Sequence, residues 1–368
     1  MLDYTNPKLI VERSQVVPGR VQWRSPSNLA IIKYWGKHGR QLPKNPSISF
    51  TLDAAHTDTI LSYEAKESGM GNVDVSLYFN NIPNEAFQQK VQLFLESIID
   101  IFPFLKQLRL KINTSNSFPH SAGIASSASG MSALALCLCS LEQALFEDTL
   151  SDEDFFQKAS YIARLGSGSA CRSIYPGMAI WGENTVFEAS SDLYAVPFED
   201  THALFKDFHD DILIVHKGEK SVSSRAGHAL MDGNIYADNR YAQARQRFRS
   251  LLSVLRSGDL EVFGQIAENE ALTLHALMMT SHPSYILMHP NSLKLIEMVR
   301  AYRAETKNPL YFSLDAGPNL HLLYPDNVRA DVQEFIKAEL LRHCYNGEYI
   351  SDMVGPGPSK LGLTAIEG

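Results

Sequence analysis

The chain has 368 residues, 45% of them hydrophobic and 20% charged, and 33 Lys+Arg against 41 Asp+Glu leave a net charge of −8. This is the make-up of a globular protein long enough for two domains or one large cleft-bearing unit. Without a dominant basic tract, nucleic acid and anionic membranes are excluded as main partners, but a local basic pocket for a small anion is not.

Cys137, Cys139, Cys171 and Cys344 have neither disulfide nor zinc spacing, as expected of reduced thiols in a cytoplasmic protein. The N-terminal MLDYTNPKLIVERSQ lacks a cationic stretch followed by an apolar one, so no signal peptide is expected. No apolar run in the sequence reaches the roughly 18 residues that a spanning helix needs.

Residues 1–20 read as an irregular arm. Strands follow at RVQWRSP (20–26), AIIKYWG (30–36), SISFTLD (47–53), TDTILSYE (57–64), VDVSLYF (73–79) and LRLKINT (108–114). Lys33, Tyr34 and Lys37 stand where the second of these turns aromatic and basic; a buried lysine there calls for an anionic partner, whereas an edge lysine would only reach for water. NEAFQQKVQLFLESIIDIF (84–102) has helical spacing.

FPHSAGIASSASGMSALALCLC (118–139) places a small-residue loop directly before a helix that is apolar nearly all round. Gly123, Ile124, Ala125, Ser126 and Ser127 would let a phosphate approach unpaired helix amides, with Ser126, Ser127 and Ser129 adding hydroxyls or a magnesium ligand. The same residues would also serve as a plain N-cap on a core helix. Ser151 opens the next helix, with Asp152, Glu153 and Asp154 in its first turn, and that helix ends near Gly166.

RLGSGSACRS (164–173) then offers glycines for close backbone approach, Ser167, Ser169 and Ser173 as donors, and Arg172 for bidentate anion binding. A helix C-cap followed by a polar turn is the simpler alternative. Two anion-suited loops in one chain fit an enzyme that holds both a phosphoryl donor and an acceptor.

Residues 177–190, 192–198 and 211–217 read as strands, and 236–258, 259–280, 292–305 and 328–344 as helices. KSVSSRAGHALM (220–231) is a Ser-capped helix start in which Ser223 and Ser224 cap or touch phosphate. PLYFSLDAGPNLHLLYP (309–325) is strand, turn, strand, and Asp315 at the strand end suits either a cleft-facing carboxylate or an Asx turn. No histidine, His120 and His275 included, has metal-ligand spacing. Strands and helices are segregated, which makes the fold α+β.

PSNLAIIKYWGK, FPHSAGIASSASG, RLGSGSACRSIYPG, VSSRAG, LDAGPN and VGPGP, in order from Ser25 to Pro358, resemble the diphosphomevalonate decarboxylases of the GHMP kinase superfamily. The resemblance implies a ribosomal-S5-like half and a ferredoxin-like half around a deep cleft, which we place at residues 21–200 and 201–368 after the arm 1–20. It implies ATP with Mg2+ as co-substrate, phosphorylation of the 3-hydroxyl of mevalonate 5-diphosphate, and loss of phosphate and carbon dioxide to give isopentenyl diphosphate.

By the same resemblance Asp315 is the catalytic carboxylate and Lys33 its basic neighbour, while Tyr34, Lys37, Ser167, Ser169 and Arg172 hold the acceptor. Gly123 through Ser127 cradle ATP phosphates, Ser126 or Ser127 helps to place Mg2+, and Ser223 and Ser224 lie near the transferring phosphoryl group. A cytoplasmic homodimer is expected. Similar enzymes act on mevalonate 5-phosphate or phosphorylate mevalonate without decarboxylation, and a silent ligand sensor on the same fold would be free to lose Asp315 or Lys33.

Overall fold

The computed structural model describes residues 4–67, 70–119, 124–146, 150–218 and 221–365. The strands expected at 20–26 and 30–36 are one strand, Gly19–Ile32, and those at 47–53 and 57–64 are one strand, Ser47–Ala65. The two pair antiparallel, but the register slips between Pro26 and Asn28: Pro26 faces His56 and Asn28 faces Thr51. Four residues, 52–55, therefore oppose one. A proline has no N–H to give a ladder, so a bulge beside Pro26 is where pairing fails most cheaply.

The bulge is held from outside the pair. Asp352 Oδ1 accepts from the amides of Asp53, Ala54 and Met353, and Oδ2 from that of Ala55, all at 2.8 Å. Backbone groups that lose a ladder inside a protein need substitutes of this kind.

The first sheet runs in the order Ser359–Ala365, Gly19–Ile32, Ser47–Ala65, Leu108–Asn116, Asp74–Phe79, Ile82–Pro83, and Met178–Trp181 pairs with the beginning of Ser47–Ala65. Its pairings are antiparallel except that of Asp74–Phe79 with Leu108–Asn116. Helices α1 (Glu85–Ser97), α2 (Ser126–Phe146) and α3 (Asp152–Gly166) belong to this half. By length and composition α2 could cross a membrane, which its sequence had not suggested, yet it is packed mostly inside the fold against the two long strands and α3. The described part of the arm before the first strand, residues 4–18, has a 3-10 turn at Arg13–Gln15 and packs on the domain, since Leu9, Val11 and Val16 are buried in this core.

The second sheet is Tyr311–Ser313, Leu320–Tyr324, His209–Leu213, Tyr349–Ile350, all antiparallel. Around it lie α4 (Ser224–Ala229), α5 (Ala237–Ser257), α6 (Leu260–Met279), α7 (Pro290–Thr306) and α8 (Arg329–Phe335). A hydrophobic cluster joins the halves, combining Leu29, Ile31, Ile48 and Phe50 with Phe208, Ile212, Phe248 and Phe263. The last strand returns to the first sheet, so the end of the chain packs with its beginning rather than with residues 201–358.

Other expected elements differ: the strand over 192–198 is only Val196–Pro197, and that over 211–217 is His209–Leu213. The helix over 84–102 stops at Ser97, and Pro103 opens a separate short turn. The strand over 177–190 ends at Trp181, because Gly182 turns with φ +108° and Asn184 Oδ1 accepts from the amides of Val186 and Phe187. The helix over 328–344 is α8 followed by a wider turn, Ile336–Leu340, and a 3-10 turn, Leu341–His343. The fold is a GHMP kinase-like α+β architecture.

Candidate active site

The site forms where the ends of long strands from the first sheet meet α4, α6 and the 311–324 hairpin of the second. Lys33 follows directly on the strand Gly19–Ile32, and Asp315 lies two residues past Tyr311–Ser313. Their side chains join as an ion pair, Lys33 Nζ to Asp315 Oδ1 at 2.8 Å, in which Lys33 is 2% exposed and Asp315 23%. The lysine is thus sealed in while its carboxylate partner faces outward. In the turn that follows, the Asp315 carbonyl accepts from Gly317 N–H at 2.7 Å, while its carboxylate reaches Lys33.

Arg172 is buried in a cage of neutral oxygens. Its Nε donates to Ser49 Oγ (2.9 Å), one terminal nitrogen to Ser47 Oγ (2.6 Å) and the other to Asn28 Oδ1 (3.4 Å). The guanidinium also lies over the Trp181 ring, 5.8 Å from its centroid. No carboxylate among the described residues forms a salt bridge with it. Burial holds its pKa below the usual arginine range, against the pull of Cys171, Asp315 and Tyr34. A buried cation with fixed geometry and no bonded counter-charge is a receptor for an anion.

Tyr34 packs beside it, with ring centroids 4.6 Å from Trp181 and 4.3 Å from His228. Its hydroxyl is buried without a hydrogen-bond partner among the described residues, and burial pushes its pKa up. An unpaired phenol in a native site marks a place for a bound group. A β-carbon at Gly168 would stand 2.9 Å from this hydroxyl and 2.8 Å from the Trp181 ring, which is why glycine is needed in the loop. Lys37 is half-buried and donates to Gln41 Oε1 at 2.9 Å; burial, then the charge of Arg225, lower its pKa.

The two serine loops touch. Ser167, the C-cap of α3, brings its Oγ within 3.5 Å of Ser127 Oγ on the first turn of α2. Ser126 opens α2, preceded by Ala125 with φ +44° and by Ile124, whose carbonyl accepts from Ser27 Oγ at 2.7 Å. Ser129 is not available to a ligand: its hydroxyl is buried against Thr57 Oγ1 at 2.6 Å. Gly123 and His120 lie outside the described residues. Ser169 is half-buried, and its carbonyl accepts from Asn28 Nδ2 at 3.2 Å.

Ser223 caps α4, its Oγ accepting from Ala226 N–H at 3.2 Å, and both it and Ser224 are exposed. A hydroxyl that accepts in a cap still has its proton to donate, so capping and phosphate contact are compatible. His228, five residues on, ties α4 to the KYWGK segment. It lies against Tyr34 and Trp35, and its Nδ1 accepts from Gly36 N–H at 3.0 Å. Burial, then the charge of Lys37, pull its pKa down to about 3.

Asn28, Ser47, Ser49, Trp181 and His228 carry parts of this site without having been singled out in the sequence. Asn28 had a signal, being an amide directly before the apolar run Leu29–Ile32. Ser47 and Ser49 alternate on one face of their strand, which a period-two reading around SISF shows only once Arg172 is known to lie opposite. Of the two arginines in RLGSGSACRS, Arg164 is architectural, donating to the carbonyls of Leu193 and Arg40 at 2.6 and 2.5 Å.

The fold around these residues is that of the GHMP kinases, and they form its candidate active site. The profile of the diphosphomevalonate decarboxylase-like N-terminal domain matches residues 25–194, and that of the mevalonate 5-diphosphate decarboxylase C-terminal domain residues 211–356. The chain belongs to the diphosphomevalonate decarboxylase family. It is 30% identical over 315 residues to the diphosphomevalonate decarboxylase of Candida albicans, covering 82% of this chain and 83% of the relative. It is 28% identical over 350 residues to that of Schizosaccharomyces pombe, covering 91% and 85%. Among solved structures, it is similar to the Staphylococcus aureus mevalonate diphosphate decarboxylase (TM-score 0.79, 26% identity, 95% of this chain and 100% of that one). It is equally similar to MDDEF in complex with MVAPP, AMPPCP and magnesium (TM-score 0.78, 28% identity, 95% and 100%).

Proposed function

We propose that this protein is an ATP-dependent carboxy-lyase that converts (R)-mevalonate 5-diphosphate to isopentenyl diphosphate, releasing ADP, phosphate and carbon dioxide. The observation that carries the reading is that the Lys33–Asp315 pair lies near enough to the buried Arg172, which has no salt-bridge partner among the described residues, for the charge of Asp315 to act on it. One is suited to a reacting hydroxyl, the other to a substrate anion.

Asp315 receives the proton of the 3-hydroxyl, or balances the positive charge that develops at C3, while Lys33 holds its other face. The hydroxyl oxygen takes the γ-phosphoryl group of ATP, and ADP departs. Cleavage of the C3–O bond then releases phosphate. The electron pair of the bond to the carboxylate moves to form the alkene as carbon dioxide leaves. Arg172, Tyr34 and Lys37, with Ser167 and Ser169, hold the carboxylate and diphosphate, and that remote binding energy positions the reacting end.

On the donor side, Ile124 to Ser127 at the start of α2, with Gly123, cradle the phosphates, and Ser223 and Ser224 approach the transferring group. The hydroxyls of Ser126 and Ser127 are neutral oxygens at a helix N-terminus, which fits a hard cation that keeps most of its waters and reaches the protein mainly through phosphate. Held there, Mg2+ would supply charge neutralisation for the transferred group. We place the donor half at 21–200 together with the last strand, Ser359–Ala365, the other half at 201–358, and the enzyme in the cytoplasm as a homodimer; sedimentation and cell fractionation test the last two.

The deciding experiment offers Mg·ATP with mevalonate, its 5-phosphate or its 5-diphosphate and follows ADP and carbon dioxide together. Matched release with the diphosphate alone is expected. ADP without carbon dioxide would make the protein a kinase, and turnover of the monophosphate would move it to a different decarboxylase.

A further inference from the structure

Lys33 and Asp315 are brought together by side chains, but something must hold their main chains. Lys33 lies just past its strand and Asp315 in a turn, so neither has ladder partners on both backbone groups. Lys33 N–H donates to Glu270 Oε2 at 2.9 Å. The Asp315 carbonyl accepts from His275 Nε2 at 3.1 Å, which fixes the proton of that imidazole on Nε2. Glu270 and His275 are both on α6, five residues and about 7.5 Å of axial rise apart. Both are buried, at 0% and 2% exposure.

Glu270 is itself fixed. Arg240 forms two bonds of 2.6 Å to its two oxygens, and Arg247 adds one of 2.8 Å. Burial works against its ionised form, but the bonds and charge of Arg240, with Arg247 and the Lys33 amide, outweigh it and lower its pKa. Arg240 also donates to the Lys33 carbonyl at 3.2 Å, as does Asn45 Nδ2 at 3.2 Å. Both backbone groups of Lys33 are thereby clamped, from α5, α6 and Asn45.

We infer that α6 is a two-point brace that sets the Lys33–Asp315 contact, with Glu270 and His275 as positioning residues for the reaction. This rests on the reading of Lys33 and Asp315 given above. Neither residue touches substrate; each acts through the main chain of one that does. A displacement of about 1 Å at a reacting group can cost roughly 10²-fold in rate, so modest slack in either tether would be felt in turnover.

His275→Phe keeps a ring and loses the donor, His275→Gln keeps a donor, and Glu270→Asp keeps a buried carboxylate near the arginines but draws its oxygens back by one methylene, which slackens the tether to the Lys33 amide. We expect kcat to fall on the order of 10- to 100-fold in His275→Phe and Glu270→Asp, with KM for ATP and acceptor within about twofold and most of the rate restored in His275→Gln. Amide hydrogen exchange at Ala316 and Gly317, measured without turnover, should quicken in His275→Phe and return in His275→Gln. Unchanged kcat and exchange in folded His275→Phe and Glu270→Asp would overturn the brace, as would a loss appearing in KM instead of kcat. If the wild-type protein turns over none of the three acceptors, the functional reading fails, and exchange alone then decides the tether at Asp315.

Discussion

Lys33 and Asp315 are 282 positions apart in the chain and meet at 2.8 Å, with the lysine sealed behind the carboxylate. Folding of both halves is therefore a condition for the reacting pair to exist. Asp315→Asn keeps the shape and loses the charge. Turnover should fall by orders of magnitude, while calorimetry shows ATP and acceptor still binding; near-normal kcat would remove Asp315 from its role.

Arg172 makes a different prediction. Its three neutral partners orient the fork, and a lysine cannot reproduce that geometry. Arg172→Lys should weaken acceptor binding about 10- to 100-fold, which is about 1.4–2.8 kcal/mol, and leave ATP binding alone. Equal losses for both ligands would mean that the arginine only supports the fold.

The local sequence made the site's residue types visible and concealed how they are held. KYWGK, GSGSACRS and DAGPN are contiguous, and each carries a chemistry that its residue types state outright. Asn28, Glu270 and His275 act through partners 141, 237 and 40 positions away, and nothing local marks them. Glu270 reads as one more charge on an amphipathic helix until Arg240 and Arg247 are seen across from it. The long strands were legible by composition, but their continuity through Pro26 and residues 52–55 depends on Asp352, far along the chain.

That dependence can be measured. Asp352→Ala would leave the amides of Ala54 and Ala55 without their acceptor, while Asp53 N–H keeps the Met353 carbonyl at 3.1 Å; Ala55 is the buried one, and a buried unsatisfied group costs about 1–3 kcal/mol. Stability should drop by about 1–3 kcal/mol in denaturant titration, with Asp352→Asn, which keeps one acceptor oxygen, in between. A loss below about 1 kcal/mol would mean that water replaces the carboxylate and that the bulge does not need it.

His228 supplies the pH dependence. Its pKa falls from 6.5 unfolded to about 3 folded, because burial and then Lys37 disfavour the imidazolium. Between those values the unfolded chain binds a proton that the folded one refuses, so stability rises with pH across this window and is lost as pH falls from 6.5 toward 3. The slope from this single group approaches about 1.4 kcal/mol per pH unit. His228→Gln keeps an acceptor for Gly36 N–H and cannot titrate. Chemical denaturation from pH 7 to pH 4 should therefore give a flatter profile for the variant, converging on the wild type toward neutrality apart from a constant packing offset. Parallel profiles would show that the imidazole accepts its proton inside the folded protein, with Tyr34 and Trp35 parting to admit water.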